Sequence, residues 1–240
     1  MIVLLLVLTP LLVNNPSDSL INQAIRLFET RHLNSDYINI SAELLTNLTK
    51  REPDNLVANY KLSQIYFTIG DHTSNKSEKI KYFDLGLTYA KKALAIDSNS
   101  VWAHFWYLAN LGALTQQKGV FSSLAAVSEV KKEIETVLRL DPNNVWALNA
   151  QANVYYELPK ILGGDLDKSI EILNRALAID SNYSILYVSI AKAYIKKRDF
   201  SRARFYLNKL LSLTNPWPLA DYLIDDKPTG LKLLKEIEGR

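Results

Sequence analysis

The sequence predicts an all-α chain of stacked helix pairs, and three observations predict it. Glycine and proline are scarce, eight of each in 240 residues, which favours long uninterrupted helices over a turn-rich β fold. A short segment that stops one helix and starts the next recurs four times. Apolar residues between these segments fall at helical spacing. Ala203, Tyr206, Leu207, Leu210 and Leu211 form the i, i+3, i+4, i+7, i+8 stripe of an amphipathic helix.

The four segments are Arg51-Glu52-Pro53-Asp54-Asn55, Ile96-Asp97-Ser98-Asn99-Ser100, Leu140-Asp141-Pro142-Asn143-Asn144 and Ile179-Asp180-Ser181-Asn182-Tyr183. Asp, Ser and Asn side chains accept hydrogen bonds from the free N–H groups of a helix's first turn. Proline cannot continue the preceding helix. With Pro53, Ser98, Pro142 and Ser181 as anchors, the steps are 45 (98 − 53), 44 (142 − 98) and 39 (181 − 142) residues. A last step of about 34 reaches Asn215-Pro216, and about 34 residues is the length of one tetratricopeptide helix-turn-helix unit. The stripe Leu44-Leu45-Leu48 adds a helix pair upstream, expected from about Ser17 to His32 and from about Asp36 to Lys50.

The last unit resembles the tetratricopeptide (TPR) repeat most closely, through Tyr187, Ile190, Ala191, Tyr194, Ala203 and Leu207. Leu148, Ala152, Tyr155 and Ala176 match in the unit before, and Leu62, Tyr66 and Ala93 in the first. The unit from Ser98 is poorest, with Leu108 and Leu111 in place of the small residue and the Tyr. Small residues let paired helices approach closely, and the Tyr fills the space beside them. The resemblance implies a right-handed superhelical solenoid of degenerate tetratricopeptide-type pairs over residues 16–240. The residues beyond the repeat length are expected between the two helices of a unit, at about Asp71–Glu78, Gln116–Ala125 and Leu158–Asp165, as inserted loops along one edge.

Residues 1–15 open with the apolar run Met1–Val13. It is shorter than the roughly 20 residues a membrane span needs and has the length of a secretory signal's apolar part. A periplasmic or otherwise exported location is the expectation, with a cytoplasmic one as the alternative. The chain has no Cys, which excludes disulfides, thiolate metal sites and anchoring through a lipidated Cys.

The run Tyr155-Tyr156-Glu157-Leu158-Pro159-Lys160-Ile161-Leu162-Gly163-Gly164-Asp165, with Lys168-Ser169-Ile170 and Arg175-Ala176-Leu177-Ala178-Ile179-Asp180, resembles the T component of tripartite (TRAP-type) solute transporters. That resemblance covers about Ala90 to Leu213. It implies a periplasmic helical-repeat protein that assists a substrate-binding protein and binds that protein, a small solute, or both. Elementary geometry accounts for the turn as well. Pro159 ends a helix, Gly163 and Gly164 permit positive φ, and Asp165 can cap the next helix.

Nothing in the chain argues for catalysis or a cofactor. His32, His72 and His104 lie on separate elements with no metal-binding spacing, and no nucleophile elbow appears. A net charge of +3, from 28 basic and 25 acidic residues, is too mild to argue for nucleic acid. The expected activity is therefore binding, and self-association is open to any such surface. First helices should line the inner face. Trp102, Trp146 and Tyr187 fall on equivalent first helices and are the expected anchors, because a Trp is rarely left exposed without use. Asn149 and Asn153 are the expected polar contacts, Asn110 and Lys192 lie on the same helices, and Trp106 reads as core. The Lys and Asn positions of a carboxylate clamp are occupied by Tyr60, Gln64, Trp146 and Ala150 instead. A general protein-interaction scaffold is the alternative to the transporter role.

Overall fold

The computed structural model describes residues 16–240, so the expected signal sequence lies outside the described residues. Ten long helices follow one another: α1 (Pro16–Glu29), α2 (Tyr37–Arg51), α3 (Leu56–His72), α4 (Lys76–Ile96), α5 (Val101–Lys118), α6 (Val120–Leu140), α7 (Val145–Glu157), α8 (Leu166–Ile179), α9 (Ile185–Lys196) and α10 (Phe200–Leu211). A short end piece follows, made of α11 (Leu219–Asp221), a π-helical stretch over Tyr222–Asp226, and α12 (Lys227–Glu236). No strand occurs among the described residues; one isolated parallel bridge joins Tyr183 to Trp217.

The stop-start segments do what their side chains allow. Asn55, Ser100 and Asn144 each accept a hydrogen bond from the backbone N–H three residues on. Asp97, Asp141 and Asp180 each hold the N–H two residues on, which shapes the turn before the cap. Such a cap contributes about 1 kcal/mol. The fourth segment departs from the others. Ser184 precedes α9 without a side-chain cap, and its hydroxyl hydrogen-bonds Asp226 instead.

Each helix packs on the next, so the pairs α1–α2 through α9–α10 form a continuous stack. Consecutive first helices (α1, α3, α5, α7, α9) also touch one another, whereas consecutive second helices show no comparable contact among the described residues. That asymmetry is what curves a solenoid, with the first helices on the inside. Close approach is carried by small residues: Ala58, Ala90, Ala93, Ala103, Ala152, Ala176, Ala191 and Ala203 are completely buried.

Two of the three expected insertions are not loops. The extra residues near Asp71–Glu78 and Gln116–Ala125 lengthen the helices on either side, leaving turns of Thr73–Asn75 and of Gly119 alone. Only Leu158–Asp165 is a true insertion. It holds one 3-10 turn, Lys160–Leu162, and carries Ile161, which is 91% exposed.

The geometry of that turn also corrects the reading of its glycines. Gly163 has φ +90°, the left-handed region glycine favours. Gly164 is not there for a positive φ. A Cβ on it would overlap the carbonyl oxygen of Leu158, so it is glycine for space. The turn closes through Gly164 N–H to Pro159 O at 3.0 Å and Asp165 N–H to Tyr155 O at 3.0 Å. Asp165 then caps α8 by accepting from Asp167 and Lys168.

The chain after Asn215-Pro216 does not begin another repeat pair. Residues 217–226 instead run back over the inner side. Asp221 pairs with Arg31 just after α1. Asp225 meets His72 at the end of α3, 2.9 Å from Nε2. Asp226 lies against Ser184, and Trp217 packs on Trp146 and Tyr183. Each of these partners is on a first helix or adjoins one, so the segment crosses the concave face from the last unit to the first.

Candidate binding groove

The inner face holds a groove of about 920 Å³ between α5, α6, α7, α9 and the inserted turn. Its lining follows helical register. On α7 Trp146, Asn149, Ala150, Asn153, Val154 and Glu157 face the groove as an i, i+3, i+4, i+7, i+8, i+11 stripe, joined at the helix end by Tyr156. On α5 they are Phe105, Leu108, Ala109, Gly112, Thr115 and Gln116, with Trp106 beside them; on α9 they are Ile185, Ser189 and Lys192. Pro159 and Leu162 of the inserted turn form one edge, and Phe67 of α3 closes another.

The walls are aromatic. Trp106 sits 5.5 Å from Trp146, ring centroid to ring centroid, at 73°, and Tyr183 stacks on Trp146 at 5.3 Å. Such edge-to-face and stacked pairs stabilise beyond their buried area, by about 1 kcal/mol each. Polar groups, Thr115, Gln116, Asn149, Asn153, Glu157, Ser189 and Lys192, are interspersed among the apolar wall residues. Ser189 donates to Asn149 Oδ1 at 2.9 Å, while Asn153 and Lys192 are exposed at the rim. The indole N–H of Trp146 is buried without a hydrogen-bond partner. Burial pushes the Tyr183 hydroxyl well above its ordinary range, so it stays a neutral ring in this wall.

Of the expected anchors, Trp146 lines the groove, and so do Asn149, Asn153 and Pro159. Trp102 and Tyr187 do not. Trp102 is one turn before Phe105 on the same face of α5, but the Trp146 ring stands edge-on against it at 5.8 Å and 90°, which places Trp102 behind the wall. Tyr187 is two residues from Ile185, so α9 turns it away from the groove-facing stripe. It is buried with Val188, Leu210 and Tyr222, and its hydroxyl donates to Ser181 O at 2.8 Å. Gly163, Gly164 and Asp165 shape the adjoining turn without lining the groove.

Two other sequence readings change. Trp106, read as core, is nearly buried at 3% exposure, yet its ring forms part of the wall. Asn110, read as a candidate contact, is wholly buried and ties α5 to α3 of the unit before. Its amide donates to Ser63 Oγ at 3.0 Å and to Trp106 O at 2.8 Å. Tyr183 and the α6 residues Val127 and Val130 also line the groove, and the sequence pattern does not point to them. The Ile185–Ser189–Lys192 spacing on α9 was legible; the position of Tyr183, set by its bridge to Trp217, was not.

No group of three or more His, Asp or Glu side chains is arranged to hold a metal ion among the described residues. No helix of the described residues is long and apolar enough to cross a membrane.

Comparison with known proteins agrees with the repeat and locates the family. A tetratricopeptide-repeat model matches residues 185–215. The fold is shared with a thermophilic TPR protein of Thermus thermophilus, at TM-score 0.69 and 15% identity over 92% of this chain and 96% of that one. It is also shared with PilF of Pseudomonas aeruginosa, at TM-score 0.55 and 16% identity over 93% and 94%. None of the names in this comparison is that of a catalytic family or of a transporter T component. Regulator of microtubule dynamics protein 1 of Bos taurus is 24% identical over 215 residues, 79% of this chain and 67% of the relative. Its Homo sapiens counterpart is 25% identical over 153 residues, 57% and 48%. The chain thus spans about half to two thirds of the curated relatives it matches. The model described as "Regulator of microtubule dynamics protein 1-3" matches residues 20–161, more than half of the chain, and the chain belongs to that family.

Proposed function

We propose that this protein is a non-enzymatic scaffold that takes an apolar segment of a protein partner into the groove between α5, α7 and α9, and that the partner is polymerised tubulin. The observation that carries the first half is the groove itself. Its walls are Phe67, Phe105, Trp106, Trp146 and aliphatic residues, and its polar groups, among them Gln116, Asn149, Asn153, Glu157, Ser189 and Lys192, are interspersed along them. Such a surface suits an apolar side chain or two, with polar groups to fix the direction of a bound segment. The second half rests on the name of the matched family and takes the cytoplasmic of the two locations. The transporter reading rested on the turn at Leu158–Asp165, which its own hydrogen bonds explain.

The test is cosedimentation with polymerised tubulin, comparing the wild type with Ala150→Arg, whose long side chain would fill the groove. Circular dichroism checks that the variant folds. The wild type is expected to pellet in proportion to polymer, and Ala150→Arg to do so at least tenfold more weakly. A wild type that stays in solution at micromolar polymer would sink the microtubule assignment. Equal pelleting of the two would sink the groove.

A further inference from the structure

We propose that residues 217–226 are a displaceable strap: an acidic helical stretch docked in cis on Arg31 and His72, covering a surface that an acidic helical segment of a partner protein occupies once the strap is released. This rests on reading the protein as a partner-binding scaffold, and it adds the chemistry of the partner and the means of control.

The first argument is the chemistry of the contact. The strap presents Asp221, Asp225 and Asp226 within six residues, and the first two meet the basic groups Arg31 and His72. Arg31 is 5% exposed and is fixed from behind, through Nη1 to Phe28 O at 3.0 Å and by lying over the Phe28 ring at 4.4 Å. Its guanidinium is therefore aimed at the inner face by α1 itself, and the strap's carboxylate completes it. Arg31 and His72 thus form a local basic pair placed to take carboxylates carried on a helix.

The second argument is the weakness of the attachment. Between Trp217 and Asp226 only Ala220, Tyr222 and Asp226 are buried, while Trp217, Leu219, Leu223 and Ile224 are all at least 36% exposed. The reach to α1 and α3 depends on two side-chain pairs, and both partners of the His72–Asp225 pair are about a third or more exposed. Exposed pairs of that kind hold little, so the reach to the first unit hangs on the single buried pair Arg31–Asp221, and segments with few buried contacts open locally before the whole molecule does.

The third argument ties the strap to the groove. Trp217 packs against Trp146 and Tyr183, and both rings are groove walls. A segment entering the groove and displacing either ring must also loosen Trp217. The groups facing the strap are Arg31 from the α1 end, Asp71 and His72 from α3, Tyr183 and Ser184 before α9, and Lys192 on α9.

A synthetic peptide of residues 216–228 tests the surface directly. Titrated by fluorescence anisotropy, it is expected to bind the full-length Asp221→Asn/Asp225→Asn variant at least tenfold more tightly than the wild type. In the wild type the tethered strap competes at high effective concentration. Adding His72→Ala to the double variant should weaken the peptide again by at least threefold. Equal binding to wild type and double variant, or binding to neither, overturns the proposal. A second measurement needs no variant. Excess peptide added to the wild type should speed hydrogen exchange of amides 219–226 at least threefold and leave 203–211 unchanged; unchanged exchange at 219–226 overturns the proposal. Failure here leaves the groove reading intact, because that reading is tested on polymerised tubulin through Ala150.

Discussion

Trp217 meets Trp146 edge to face, with ring centroids 5.9 Å apart and planes at 81°, so one indole is both a wall of the groove and the seat of the strap. Trp102 also meets that ring edge to face, at 5.8 Å, but does not line the groove. Trp146 and Trp102 should therefore separate when truncated. Trp146→Ala and Trp102→Ala should each lower stability by about 3 kcal/mol, the cost of a cavity left by a large ring. Only Trp146→Ala should also weaken partner binding in the folded fraction, by roughly 30-fold, as expected for an anchor worth about 2 kcal/mol. Melts and binding measured on the same samples decide it. A matching affinity loss for Trp102→Ala would place both rings in the site.

The inserted turn makes a prediction that distinguishes two adjacent glycines. Gly163→Ala meets only the strain of a left-handed backbone, about 1 kcal/mol. Gly164→Ala must push against the Leu158 carbonyl and break the Asp165 N–H bond to Tyr155 O, so it should cost about twice as much or more. Chemical denaturation of the two variants checks the order. The ranking fails if Gly163→Ala is the more damaging.

Gly86 and Asn110 should behave as a coupled pair. A Cβ at Gly86 would overlap the Asn110 amide, which bridges α3 and α5. Gly86→Ala alone is expected to destabilise by about 2 kcal/mol through overpacking, and Asn110→Ala by about 1–3 kcal/mol through lost hydrogen bonds. In the double variant the smaller side chain gives the new methyl room, so the combined loss should fall short of the sum by at least about 1 kcal/mol. Strict additivity would show that the two sites do not touch.

Stability should fall as pH rises through neutrality. Burial raises Asp226 from its ordinary 3.8 to about 7, against the opposing pull of the Ser184 hydroxyl and Lys192. A carboxylate with a raised native pKa stabilises fully below about 4, and that contribution is lost as pH climbs toward 7. Asp221 is raised in the same direction by burial, with Arg31 opposing. His72 is raised by its bond to Asp225, so its contribution is present below its ordinary 6.5 and is lost above it. All three run the same way. From Asp226 alone, going from pH 6 to pH 8 should cost roughly 1 kcal/mol. Asp226→Asn should flatten that slope and be the more stable protein at pH 8. Urea melts at the two pH values measure it, and a wild type more stable at pH 8 than at pH 6 refutes it.

The fold was legible because its signals are local. Asn55, Ser100, Asn144 and Asp165 announce helix starts within a few residues, and all four cap as expected. The groove was half legible. Asn149, Asn153 and Trp146 share a helical stripe with period 3.6, but Trp102 and Tyr187 were placed by counting repeat steps. That count gives the helix and not the angle around it. Extra residues could also join a helix or leave it, and those near Gly119 and Thr73 joined. The strap was not legible at all. Its partners Arg31 and His72 lie 190 and 153 residues from Asp221 and Asp225, a distance at which one sequence carries no register.

An open stack of repeats is mechanically a line. Each unit senses only its neighbours, and the end units, with one neighbour each, fray first. The pairing of Asp221 with Arg31 joins the last unit to the first and turns the line into a ring. A perturbation at one end then reaches the other by the short way round as well as through the stack. That closure lasts only while the strap stays docked; once the strap lets go, the stack melts as a line, from its ends. The first pair, α1–α2, gains a protection against unravelling that its own sequence does not provide.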